Sequence, residues 1–152
     1  MRICLQTILV FASATFTSPA LALDLNSFRA EHRLPPLATS ATLAGAAYAH
    51  AHDMARRNHL DHDGFAARAR FSSGAAAENV LVMNCARPDA KPVSTFAGRA
   101  CGGCDNQDCA IRMWAKSAGH RRNMLMQGVS AYGIASAVSD NGRKYWVMEL
   151  GN

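Results

Sequence analysis

Four stretches of the chain concentrate polar groups that a bare hydrophobic core has no use for. They are HLDHDG at 59–64, AEN at 77–79, WAKSAGHRRN at 114–123, and Glu149 inside the otherwise apolar run RKYWVMEL. Between them they hold His, Glu and Ser, the side chains used for metal ligation and proton transfer. Their separation is long, so only the fold can bring them together. No H-E-x-x-H pattern places two ligands one helical turn apart. Ser117 lies near His120 in sequence, but no orienting acid accompanies the two, which argues against a serine triad.

The elements that must position these groups can be read from pattern and punctuation. Residues 25–32 suit a short helix, with Asp24 or Asn26 available as its N-cap. Pro35 and Pro36 stop it. Thr39 or Ser40 can cap an Ala-rich helix that follows, in which Leu43, Ala47, Ala51 and Met54 share one face. His52 and Arg56 fall on the wet face, and His50 on the flank, where a buried, hydrogen-bonded structural histidine is expected. This helix is expected to end at Asp61–Gly64, with one more turn at 66–71. If it persists to residue 59, His59 points about 140° away from the apolar stripe, toward water. A short strand is expected at 78–83 and a helix at about 110–118, stopped by Gly119. Asp140-Asn141-Gly142 between two strand-like runs is a strong hairpin signal. Helices, a strand, a helix and a hairpin predict an α+β domain with a small antiparallel sheet under helices.

Composition narrows the class. The chain has 152 residues, which suits one domain. Residues 1–22 read as a cleaved signal peptide: Met1-Arg2, an apolar run to about Phe16, then Ala20-Leu21-Ala22 as a small-x-small cleavage site. Nothing later approaches a spanning length, so the mature chain, 23–152, is expected to be secreted or periplasmic, without a transmembrane segment. Removing Arg2 takes the net charge from +5 to +4. The Arg residues are scattered, with no clustered stripe for nucleic acid. Cys85, Cys101, Cys104 and Cys109 lie in or at the end of an irregular insertion at about 84–109. An even count in an exported chain reads as two disulfides with three possible connectivities. Cys101–Cys104 is the least attractive, since it closes a very small loop. A zinc knot would want two well-spaced pairs, and a redox CxxC should open a helix after a strand; the loop GRACGGCDNQDC offers neither.

Taken in order, AHDMARRNHLDH, AENV, W-x-x-S-x-G-H-R-x-N-M-L, YGIA and the terminal YW resemble the CAP superfamily of cysteine-rich secretory proteins, antigen 5 and pathogenesis-related 1 proteins. The likeness is closest to its bacterial SCP-domain branch and spans about residues 24–151. It implies an α-β-α sandwich and an exported protein. It also implies a central cleft of two histidines and acidic groups that binds zinc or another divalent cation in several members. Matched by motif, the first histidine is His62, the acid of the EN pair is Glu78, and the second histidine is His120. Ser117 stands where eukaryotic members often carry a second Glu, so the full two-His, two-Glu set is not expected here.

These residues support two expectations. In one, His62, Glu78 and His120 hold a divalent metal with water in the open position. Asp61 or Asp63 would then orient His62, with Ser117 nearby. In the other, they form a polar structural cluster: His62 salt-linked between aspartates, Glu78 pinning backbone N–H groups, and a protonated His120 following a helix C-terminus. The expected function is a non-catalytic binding module whose ligand is lipid-like, sterol-like or an extracytoplasmic protein. The alternative is a weak metal-dependent hydrolase with Glu78 and His120 at metal-activated water.

Overall fold

The computed structural model describes residues 24–84 and 106–152. The signal-peptide reading of 1–22, Cys85, Cys101, Cys104 and most of the expected insertion lie outside the described residues, as does the disulfide pairing. Of that insertion, Asn84 closes a strand and Gln107–Cys109 form the first turn of a helix.

Helix α1 (Leu25–Glu31) starts where Asp24 accepts a hydrogen bond from the Ser27 amide at 2.7 Å. Asn26 does not cap it. Its amide instead clamps both backbone groups of Leu37, fixing the Pro35-Pro36 crossing. The chain then forms a two-residue strand, β1 (Ala38–Thr39), which the sequence pattern is too short to signal. Ser40 caps α2 (Ala41–Arg57). α2 ends earlier than expected because Asn58 takes the left-handed conformation, φ 53°, which Asn tolerates. A short helix α3 (Phe65–Arg68) continues into a 3-10 turn at Ala69–Phe71. Strand β2 (Ala77–Asn84) follows, then helices α4 (Gln107–Lys116) and α5 (Ala118–Met124), and the hairpin of β3 (Ala131–Val138) and β4 (Arg143–Gly151). Gly119 therefore does not stop a helix. Ser117 ends α4 and opens α5 at once, with extended backbone angles that break the helical path.

The sheet order is β1-β3-β4-β2. β2, β4 and β3 are antiparallel as expected, whereas β1 pairs parallel with β3, so the whole sheet is mixed. Strand alternation sends successive side chains to opposite faces. Val80, Tyr145 and Val147 pack with Ala47, Ala51, Met54 and Ala55 of α2. Met83, Tyr132, Trp146, Met148 and Leu150 pack on the other face with Leu25 and Phe28 of α1, Ile111 and Trp114 of α4, and Met124 of α5. The result is an α-β-α sandwich. Trp114 is fully buried and donates its indole N–H to the Val80 carbonyl, tying α4 to β2. On the other side α2 lies almost against the β3 backbone at Gly133. A Cβ there would sit 2.1 Å from the Ala44 nitrogen, so only glycine permits the approach.

Candidate functional site

The polar stretches meet at the β2 edge of the sheet. Glu78 and Glu149 are paired residues on β2 and β4, in register with each other. Both belong to the alternation that faces α2, and both are buried. Arg68, at the end of α3, reaches between them. Its Nε donates to Glu78 Oε2 at 3.0 Å and to Glu149 Oε1 at 2.8 Å, and its Nη2 also donates to Glu78 Oε2. Its Nη1 donates to the Asp63 carbonyl at 2.6 Å. Gly64 opens α3 with φ 74° and lies close beneath the guanidinium, where a Cβ would meet Nη1 at 3.2 Å. Glu149 also lies beside the Glu78 carboxyl across the strand pair. Burial, then this neighbouring carboxylate, pushes the Glu149 carboxyl up to about 8 against the pull of Arg68.

The loop after α2 delivers His62. His50, buried on α2, holds this loop by a 3.0 Å bond from Nε2 to the Asp61 carbonyl, and lies 3.9 Å from Glu78 Oε2. It is the buried, hydrogen-bonded histidine that the helical pattern predicts. Asp61 accepts from Arg57 Nη1 at 2.8 Å and from the Asp63 amide at 3.0 Å. The Arg57 hydrogen bond holds its carboxyl below the usual range. Asp61 and Asp63 thus shape the loop, while the carboxylate facing His62 is Glu78: His62 Nδ1 lies 2.7 Å from Glu78 Oε1. Since the carboxylate accepts, Nδ1 carries the hydrogen. In the neutral form of this half-exposed ring, Nε2 keeps its lone pair. His59 is exposed and 3.9 Å from Asp61. It faces water as expected, but from the loop rather than from the helix.

His120 comes from α5, whose position is set by two asparagines. Asn79, fully buried, donates to the His120 carbonyl at 3.1 Å. Asn123 donates to the Asn79 side chain at 2.9 Å and to the Glu78 carbonyl at 3.1 Å. Arg29, buried on α1, donates to the Met124 and Met126 carbonyls and so holds the far end of α5. His120 lies in the first turn of α5, so the local helix dipole disfavours its protonation, opposite to the effect expected from a helix C-terminus. Burial, then the charge of nearby His62, lowers its pKa. Ser117 is the joint between α4 and α5.

Of the residues singled out in the sequence, His62 and Glu78 are in direct contact, and His120 is close enough to His62 to feel its charge. Among the described residues, no three His, Cys, Asp or Glu side chains are grouped to hold a metal ion. Both Glu78 oxygens face other partners: Oε1 faces His62 and Oε2 faces Arg68. The sequence reading missed Arg68, Asn79 and Asn123 as parts of the site. The Asn residues sit inside its quoted motifs, but Arg68 lies in an unremarkable Ala-Arg repeat with no local signal.

The fold and the His/Glu edge define an SCP-type α-β-α sandwich, and comparison with known proteins agrees. The cysteine-rich secretory protein family matches residues 24–150, and the chain belongs to that family. No curated protein matches it. Two solved structures are similar in fold, each with a TM-score of 0.59 over 84% of this chain. One is an extracellular protein containing an SCP domain from Bacillus anthracis, at 23% identity. The other is an outer surface protein from Borrelia burgdorferi, at 12% identity and covering 86% of that chain. This chain spans only 37% of the Bacillus protein. Among the described residues no helix is long and apolar enough to cross a membrane.

Proposed function

We propose that this domain is an exported, non-catalytic binding module whose cleft takes a divalent cation such as zinc weakly, between the imidazoles of His62 and His120. The observation that carries this reading is the 2.7 Å contact of His62 Nδ1 with Glu78. It turns Glu78 into an orienting carboxylate and leaves His62 Nε2 as the ligand atom. The lowered pKa of His120 supports a neutral, ligating ring near pH 7. Two imidazoles with water completing the shell make an open site of modest affinity. Glu78 lacks a free oxygen for proton transfer, so binding fits better than the alternative of weak metal-dependent hydrolysis. Export rests on the signal-like residues 1–22 and on the extracellular description of the Bacillus protein. The ligand the module presents or captures is lipid-like, sterol-like or a protein outside the cytoplasm.

Zinc titration by calorimetry tests the reading on the mature protein and on His59→Ala, His62→Ala and His120→Ala. Binding is expected to survive His59→Ala and to be lost in the other two. Unchanged binding in both His62→Ala and His120→Ala would discard the cleft. Zinc-dependent, chelator-sensitive ester or peptide hydrolysis that falls with the same two variants would replace the binding module by the hydrolase.

A further inference from the structure

The cleft departs from a three-ligand site at one carboxylate, and the cause is a residue outside every motif of the site. Glu78 is buried and adjacent to His62, so position alone suits it to ligation. Its Oε2 is instead taken by Arg68 through two nitrogens, and the same guanidinium reaches Glu149. A carboxylate held by an Arg fork has its charge already neutralised and its lone pairs directed at N–H groups. A divalent ion there would also meet the guanidinium charge at close range.

We propose that Arg68 is the specificity-determining residue of this cleft: by holding Glu78 as its counter-ion and Glu149 as a further hydrogen-bond acceptor, it keeps carboxylate oxygen out of the ligand set. Metal binding is thereby confined to imidazole. Imidazole suits zinc and similar ions, whereas carboxylates add affinity for oxygen-preferring ions such as manganese. Arg68 is well placed for this role. Only 13% of its side chain is exposed, it is anchored at its outer end by the Asp63 carbonyl, and it rests over Gly64. The inference builds on the imidazole cleft proposed above, but its test does not depend on the histidines.

The test uses calorimetry with zinc and with manganese on the mature protein and on Arg68→Met, Arg68→Lys and the double variant Arg68→Met/Glu78→Gln. Arg68→Met is expected to bind zinc about tenfold tighter or more, as added ligand charge does, and to gain measurable manganese binding. The double variant is expected to lose both gains. Arg68→Lys, which keeps the charge, is expected to behave like the parent. A folded Arg68→Met with parental zinc affinity and no manganese binding would overturn the proposal, as would an equal gain in Arg68→Lys. Should Arg68→Met be unfolded without metal, circular dichroism with manganese decides. Recovery of the folded spectrum supports replacement of the guanidinium by a divalent ion, and no recovery refutes it. Zinc binding by the parent that ignores His62→Ala and His120→Ala would remove the imidazole cleft while leaving the Arg68 comparison readable.

Discussion

Glu78 and Glu149 stand opposite each other on β2 and β4, both buried on the face that α2 covers. Two carboxylates in that position repel, and like charges directly across a strand pair destabilise a sheet. The fold answers with Arg68 between them and with a proton that Glu149 keeps to about pH 8. The pair behaves as one unit with a shared charge.

This pair predicts how stability varies with pH. In the unfolded chain Glu149 titrates near its ordinary value of 4.5, and in the folded protein near 8. Between those values the folded state binds the extra proton. Stability from this group is therefore full below about 4.5 and declines as pH rises to about 8. His120 has the opposite sign: its pKa is lowered, so its contribution is present above 6.5 and is lost as pH falls below it. Glu149→Gln copies the protonated form. It is expected to match the parent near pH 4 and to exceed it near pH 8, leaving the His120 slope exposed. Urea unfolding at several pH values checks this, and equal parent and variant curves would remove the shared proton.

The asparagine bridge predicts a variant that weakens the site without touching it. Asn79→Ala leaves the His120 carbonyl and the Asn123 amide without their buried partner, at a cost of roughly 1–3 kcal/mol. Since the bond it removes sets α5 against β2, zinc affinity is expected to fall as well, although Asn79 is no ligand. Denaturant melts and zinc titration of the same preparation measure both. A destabilised variant with parental zinc affinity would separate α5 placement from binding.

Much of this arrangement was legible in the sequence because it rests on local signals. The α2 stripe, the Asp24 and Ser40 caps, the Asn-Gly hairpin and the alternation in β4 each follow from periodicity or turn chemistry. The motif residues His62 and Glu78 are in direct contact. What escaped was set by tertiary geometry. β1 is two residues long and exists because Ser130 and Tyr132 offer carbonyls to Ala38 and Ser40. The α4–α5 break at Ser117 replaced an expected helix end and reversed the dipole acting on His120. Arg68 meets Glu149 across a separation of 81 residues, beyond any spacing rule.

The contact of α2 with β3 predicts a severe effect from the smallest possible addition. At Gly133→Ala the new methyl would lie 2.1 Å from the Ala44 nitrogen and 2.4 Å from the Leu43 carbonyl carbon. Backbone cannot yield as a flexible side chain can, so α2 must lift. Overpacking of this kind costs ~1–3 kcal/mol or more. The expected result is a lowered thermal midpoint. Retention of the parental midpoint would show that α2 moves freely over the sheet.

His50 makes the last prediction, because it separates loop placement from ligation. It is buried, and its Nε2 hydrogen-bonds the Asp61 carbonyl, next to His62. His50→Ala removes that latch and leaves the carbonyl to find another donor, costing roughly 1–3 kcal/mol. The loss should be local. Amides of residues 59–64 are expected to exchange faster, while those in the centre of α2 stay protected. Zinc affinity should fall because His62 is no longer held against Glu78, whereas His59→Ala, three residues away and facing water, should change neither quantity. Hydrogen exchange read residue by residue distinguishes the outcomes. Uniform loss of protection along α2 would mean that His50 serves the core alone, and an unchanged loop would mean that Glu78 by itself suffices to seat His62.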